Sequence, residues 1–263
     1  MQNIPKVEIV LKLGGRALQR ALLSADFFTS FKKLKGGAVV IHGGGAEITE
    51  WAQKFGVASE FLNGQRITTP ELLEVVQSAL CGSLNPKLVW RLEQLGISAV
   101  GLSGISGSIL QCELENPALG LVGRVRQVGT DLLATLLAQN FLPVIAPIGI
   151  LPDGQRCNVN ADLASCAIAA QLKTPRLVFL TDQLGILDST GQKITKLSIA
   201  ELEALEKNGT IYGGMFVKSR AIKEFLDANP SGHVHVANGM DAATLGQIID
   251  GKSPGTLITG VKS

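Results

Sequence analysis

Val7-Glu8-Ile9-Val10-Leu11-Lys12-Leu13-Gly14-Gly15 and Ala38-Val39-Val40-Ile41-His42-Gly43-Gly44-Gly45 each run from an aliphatic stretch straight into a glycine turn. The first reads as a strand over Val7–Leu13 and the second as a strand over Ala38–His42, with a helix to about Phe55 behind it. Between them Leu18, Leu22, Phe27, Phe31 and Leu34 recur at helical spacing. Strand, amphipathic stretch and strand make a parallel βα unit. An N-terminal strand of parallel type is usually central and covered on both faces.

The same alternation continues along the chain. Asn63-Gly64, between Phe61-Leu62 and Arg66-Ile67, is a two-residue hairpin signal. Thr69-Pro70-Glu71 supplies a cap, a proline at the first helical position and an early acid; Asn85-Pro86 starts a further helix that Gly96 ends. Ser98–Leu102, Leu121–Val128, Pro143–Ile148 and Arg176–Thr181 read as strands, and Ala161–Leu172, Ser198–Lys207, Gly214–Leu226 and Asp241–Ile249 as helices. His233–Ala237 is a late strand and Thr256–Gly260 closes the sheet. A composition shift over Ala146–Cys157 marks the expected hinge between two halves.

The chain has 263 residues, enough for one large domain or two intimate lobes. Hydrophobic residues make up 46% and charged residues 17%, which excludes disorder. Few aromatics and 30 glycines favour a layered α/β enzyme over a β-sandwich. A net charge of +2 gives no electrostatic case for nucleic acid or an anionic membrane. Cys81, Cys112, Cys157 and Cys166 form no Cys-x-x-Cys pair and read as reduced, mostly buried thiols of a cytoplasmic protein. Lys6 and Glu8 interrupt any signal peptide, and the uncharged run Leu132–Pro152 is broken by Gln139, Asn140, Pro143 and Pro147, so it reads as a buried helix and strand.

The glycine turns point to anions. Lys12, at the end of its strand beside Gly14 and Gly15, is either a charge guarding a sheet edge or an anion ligand. Gly43-Gly44-Gly45 opens a helix, where N–H groups without Cβ bulk can wrap an anion. It fits neither the dinucleotide fingerprint, because Glu47 stands where the third glycine belongs, nor a Gly-Lys-Ser/Thr loop. Tyr212-Gly213-Gly214 precedes a helix with Lys218 one turn in. Asn158-Val159-Asn160-Ala161-Asp162 precedes another; either asparagine can be its cap, and Asp162 an ordinary first-turn acid.

Lys12-Leu13-Gly14-Gly15, Ile41-His42-Gly43-Gly44-Gly45, Asn63-Gly64-Gln65-Arg66-Ile67-Thr68, Asn158-Val159-Asn160-Ala161-Asp162, Thr181-Asp182-x-x-Gly185-Ile186-Leu187 and Gly213-Gly214-Met215-x-x-Lys218 occur in this order. Together, from about Val7 to Gly260, they resemble the N-acetylglutamate kinases of the amino acid kinase superfamily. The resemblance implies an open, mainly parallel eight-stranded sheet between helix layers, a three-layer sandwich. It implies an N-terminal lobe of about residues 1–150 for the amino acid and the dimer, and a C-terminal lobe of about 151–263 for ATP. The reaction implied is transfer of phosphate from ATP, with Mg²⁺, to the side-chain carboxylate of N-acetyl-L-glutamate in arginine biosynthesis.

By the same resemblance Lys12 and Lys218 bind the transferring phosphoryl group and Asp162 orients them. Gly44, Gly45, Arg66 and Asn158 serve the amino acid substrate; Gly14 and Gly15 serve the phosphates. Thr181, Asp182, Leu184, Gly185, Ile186 and Leu187, with Ile211, Tyr212, Gly213 and Met215, line the adenine and ribose site. No protein-held metal is implied, and His42 is structural. A sister kinase acting on N-acetyl-aminoadipate or a carrier-linked analogue in lysine biosynthesis, and a catalytically silent ligand sensor, are the alternatives. Departures are Gly101-Leu102-Ser103-Gly104-Ile105-Ser106-Gly107, Pro86 after Asn85, and Tyr212 before the glycine pair. Arginine-sensitive members carry an extra N-terminal helix; only Met1 to Lys6 precede the first strand here, so a homodimer without arginine inhibition is expected, with Leu72, Val75 and Val76 offered as its apolar face.

Overall fold

A computed structural model describes residues 5–23, 25–34 and 37–260; Met1–Ile4, on which part of the missing-helix expectation falls, lie outside the described residues. Chain order in the first part is β1 (Ile9–Leu13), α1 (Gly15–Leu23), α2 (Ala25–Thr29), β2 (Ala38–His42) and α3 (Gly45–Lys54). Then come β3 (Phe61–Leu62), β4 (Gln65–Arg66), α4 (Pro70–Gln77), α5 (Asn85–Gln94), β5 (Ala99–Ser103), β6 (Leu110–Leu114) and β7 (Val122–Val128). After α6 (Asp131–Ala138) follow β8 (Leu142–Ala146), β9 (Ile148–Ile150), β10 (Arg156–Val159), α7 (Ala161–Gln171) and β11 (Arg176–Thr181). The chain closes with β12 (Lys196–Ser198), α8 (Ile199–Lys207), α9 (Gly213–Ala228), β13 (His233–Asn238), α10 (Ala243–Ile249) and β14 (Thr256–Thr259).

Eight strands form one sheet in the order β12-β14-β13-β11-β1-β2-β8-β5, parallel throughout except where β13 meets β14. The alternation of side chains along a strand divides two cores. Ile9, Leu11 and Leu13 of β1 join Ala38 and Val40 on one face; Val10 joins Val39 and Ile41 on the other. Helices cover both faces, so the sheet is the middle of three layers and β1 is central, as expected. Because β1 runs to β2 on one side and pairs with β11 on the other, the chain reverses direction across the sheet there, and the carboxyl ends of these strands are where such folds hold ligands.

Several expectations are corrected. Asn85-Pro86 starts α5, as expected, but α5 does not open from a loop. The helix that opens at the Thr69 cap runs on through a wider π-turn over Ser78–Leu84, with Asn85 N–H bonded to Leu80 O. That widening accommodates Pro86, whose ring would otherwise strike a carbonyl one turn back. Thr256–Thr259 is an inner strand, and the short Lys196–Ser198 stretch makes the edge. The stretch read as a hinge is a hairpin, β9 against β10, part of a closed four-stranded barrel β10-β7-β6-β9. Leu72, Val75 and Val76 lie in the core, so they cannot form a dimer face. The run Leu132–Pro152 is helix then buried strand, and no helix among the described residues is long and apolar enough to cross a membrane.

Candidate active site

The glycine turns gather at the carboxyl ends of β1, β2 and β11. Lys12, at the end of β1, pairs with Ile41 on one side and Phe179 on the other. Its ammonium folds back over Gly14, where a Cβ would stand 2.3 Å from Nζ. Gly14 N–H is already bonded to Leu180 O, so this glycine supplies room for the lysine rather than a donor for phosphate. Gly15 turns the chain with φ +54°, a conformation glycine adopts without a Cβ penalty.

Asp162 stands between two lysines. Lys12 Nζ lies 2.7 Å from Oδ1 and Lys218 Nζ 2.7 Å from Oδ2. The carboxylate is brought there by Asn160, whose side-chain oxygen accepts from the N–H groups of Asp162 and Leu163 and so caps α7. Of the two asparagines, then, Asn160 is the cap and Asn158 faces the site. Lys218, one turn into α9, is buried and also lies 4.4 Å from the Phe179 ring centre. Burial by itself would raise the Asp162 carboxyl; the two ammonium groups outweigh it and hold it well below the usual carboxylate range. Burial also pulls Lys218 down, against the opposing pull of Asp162.

Two helix N-termini open on this cluster without a side-chain cap: α3, preceded by Gly44, and α9, preceded by Tyr212. The first N–H groups of a helix have no partner within it, and they carry positive potential. A Cβ on Gly44 would stand 2.4 Å from Leu84 and 2.7 Å from Leu80, so the close packing of the π-turn against β2 requires glycine there.

On one side of the cluster lies a cavity of about 160 Å³, lined by Gly44, Gly45, Arg66 and Asn158, the four residues expected for the amino acid. Arg66 is buried. Its Nη2 donates to Gly45 O (2.9 Å) and Thr49 Oγ1 (3.0 Å), its Nη1 to Ser59 Oγ, and the guanidinium lies 4.6 Å from the Phe61 ring centre. Asn158 Nδ2 donates to Thr68 Oγ1 (3.1 Å), which donates in turn to Arg66 O (3.0 Å). The sequence pattern did not single out Thr49 and Ser59 and gave Thr68 no role beyond its place in a motif; the three hold Arg66 and Asn158 in place.

On the other side is a cavity of about 850 Å³, the size of a nucleotide site. Thr181, Gly185, Ile186, Leu187, Ile211, Tyr212 and Met215, the residues read as a nucleotide site, line it together with Asp162 and Lys218. Asp182, Leu184 and Gly213 are not in its wall, whereas Gln183 and the Asn208-Gly209-Thr210 turn are. Asn208-Gly209 was a legible turn signal, with Gly209 at φ +77°. The cavities adjoin where the β3–β4 hairpin meets α9: a Cβ on Gly64 would stand 2.8 Å from Gly213 C and 2.9 Å from Gly214 N.

His42 is fully buried. Its Nδ1 donates to Gly43 O at 3.0 Å, while Nε2 accepts from Asn85 Nδ2 at 3.1 Å. Asn85 Nδ2 also reaches Val144 O and Leu102 O, so the π-turn pins three strands together. His42 is structural, as expected. Among the described residues no three His, Cys, Asp or Glu side chains cluster to hold a metal, and all four cysteines are free thiols.

Residues 8–238 match the model of the amino acid kinase family. The chain is 40% identical to the acetylglutamate kinase of Geobacillus thermodenitrificans over 250 residues, covering 94% of this chain and 91% of that protein. It is 36% identical to the acetylglutamate kinase of Ruegeria pomeroyi, covering 98% and 91%. A solved structure from Streptococcus mutans superposes with a TM-score of 0.84 at 26% identity, over 96% of this chain and 98% of that one. With the fold, the order of the motifs and these relatives in agreement, this chain belongs to the amino acid kinase family and, within it, groups with the acetylglutamate kinases.

Proposed function

We propose that this protein transfers the terminal phosphoryl group of ATP to the side-chain carboxylate of N-acetyl-L-glutamate, releasing ADP, as a step of arginine biosynthesis. The observation that carries this reading is the Lys12–Asp162–Lys218 cluster, set between a small cavity with a buried arginine and a nucleotide-sized one. The relatives named acetylglutamate kinase support the choice of acceptor.

The acceptor is a carboxylate, ionised at pH 7 because its pKa lies near ~4.3. It therefore needs no general base, and Asp162, held strongly ionised, is not one. The barrier is the approach of two anions, and what lowers it is positive charge placed where the phosphoryl oxygens spread theirs. Lys12 and Lys218 supply that charge from two sides. Asp162 takes one ammonium on each oxygen and keeps both aimed. The first N–H groups of α3 and α9 add donors, and Arg66 with Asn158 holds the α-carboxylate end.

ATP lies along Thr181–Leu187 and Ile211–Met215 in this reading. Mg²⁺ comes with it. Both Asp162 oxygens face lysines and no acidic cluster stands nearby, so the donor set suits a hard cation held by phosphate oxygens and water, not a protein cage. The enzyme works in the cytoplasm, in keeping with four free thiols. It acts as a homodimer joined through the N-terminal half, where Phe55 and Trp90 are exposed.

ADP release with N-acetylglutamate, glutamate and N-acetyl-aminoadipate offered in turn tests the reading. Turnover is expected with the first. Release that favours the longer compound moves the protein to the sister reaction, and release with none refutes the kinase reading.

A further inference from the structure

N-acetylglutamate presents two carboxylates and an amide. In the reading above, which this inference rests on, the carboxylates meet lysines, Arg66, Asn158 and helix N–H groups. The amide N–H is a donor, and a donor taken out of water needs an acceptor. The lining of the small cavity offers donors and the apolar surfaces of Ile48, Leu80, Val122 and Val159, but no aspartate or glutamate.

Gln65, on β4 beside Arg66, is in that lining. Its side-chain oxygen is buried and has no hydrogen-bond partner. No other residue in the wall of this cavity, among those described, has a buried side-chain oxygen or nitrogen left unpaired. An amide oxygen sealed from water without a donor is a cost to the folded chain, and a ligand N–H removes it. An unpaired neutral acceptor in a wall without carboxylates suits a neutral amide and not an ammonium group, which brings a charge and three donors.

We propose that Gln65 Oε1 accepts the N–H of the substrate's acylated amino group. Gln65 is then the residue by which the site distinguishes an N-acyl amino acid from a compound of the same shape that lacks the N–H.

The test compares kcat/KM for N-acetyl-L-glutamate with that for 2-acetoxyglutarate of the same configuration, in which oxygen replaces N–H. The unaltered protein is expected to prefer the amide about a hundredfold. In Gln65→Met the preference is expected to fall to within about threefold, through loss on the amide with the ester little changed. A variant that keeps the original ratio overturns the assignment. So does equal use of amide and ester by the unaltered protein, a measurement that needs no variant to fold. If the unaltered protein turns over neither compound, the substrate reading itself has failed and this inference goes with it.

Discussion

Gly64, at the tip of the β3–β4 hairpin, touches Gly213, at the first turn of α9, backbone against backbone. The hairpin carries Arg66 and α9 carries Lys218, so this close approach joins the wall of the small cavity to that of the nucleotide-sized one. A side chain at Gly64 meets two obstacles: φ is +80°, and a Cβ would stand 2.8 Å from Gly213 C.

Gly64→Ala is expected to lower kcat/KM for both substrates about tenfold, or ~1.4 kcal/mol, because the added Cβ pushes the hairpin off the first turn of α9. Gly56→Ala is the control. Gly56 has φ +68° and nothing within 4 Å of a built Cβ, so it suffers the strain without the contact. If the two variants lose stability alike and neither loses activity, the contact does not couple the two cavities.

Lys12→Ala and Lys218→Ala are each expected to lower kcat by about 10²-fold or more, since each removes a preorganised charge at the transferring group. Asp162→Asn should lose a comparable amount, because the two ammonium groups then repel with no carboxylate between them. Steady-state kinetics on variants whose circular dichroism matches the parent decides this; near-normal kcat in both lysine variants refutes the assignment.

Arg66→Lys is expected to raise KM for N-acetylglutamate about tenfold or more while leaving KM for ATP within twofold. A point charge cannot reproduce a planar fork already fixed by Gly45 O, Thr49 and Ser59. Separate titrations of the two substrates check it. A larger effect on ATP would place Arg66 in the wrong cavity.

Stability should fall as pH drops from about 6.5 towards 4. Burial lowers the His42 pKa from 6.5 to about 4, and the Gly43 carbonyl only partly opposes this. Protonated Nε2 would also face the Asn85 amide donor. Above pH 6.5 the ring is neutral in both folded and unfolded chains and stability is flat. Between 6.5 and 4 the unfolded chain takes up a proton that the folded one refuses, so stability is lost with acid. At pH 5 the loss from His42 is about 2 kcal/mol, and His235, also lowered to about 4, adds to it. Urea midpoints of the parent and of His42→Gln at pH 7.5 and 5 test this: the drop should shrink in the variant, and an equal drop in both means that His42 is not its source.

What a few consecutive residues determine was open to reading. Continuous aliphatic stretches running into glycine turns placed β1 and β2 in the sheet. Thr69-Pro70 opened a helix and Asn63-Gly64 made its turn, because caps and turns satisfy hydrogen bonds and dihedral angles within four residues. The six motifs, taken in order, marked the lysines, the glycine turns and the buried arginine.

The tertiary structure decided the rest, because it depends on what lies opposite in space. The barrel strands β6 and β10 were not read from the sequence; β6 pairs with β7 and β9, and β10 likewise, across the closed barrel. Asn85 followed by Pro86 marks the start of α5, but not that a π-turn leads into it or that the Asn85 side chain reaches His42, 43 residues away. Leu72, Val75 and Val76 have the spacing of an apolar face, but spacing does not say whether core or partner covers it; here it is the core. The meeting of Lys12 with Lys218 across Asp162, the closure of Gly64 on Gly213 and the unpaired oxygen of Gln65 arise only when strands from both halves lie in register. Local sequence sets dihedral angles and neighbouring hydrogen bonds, whereas these contacts are fixed by how β1, β2 and β11 pair across the sheet.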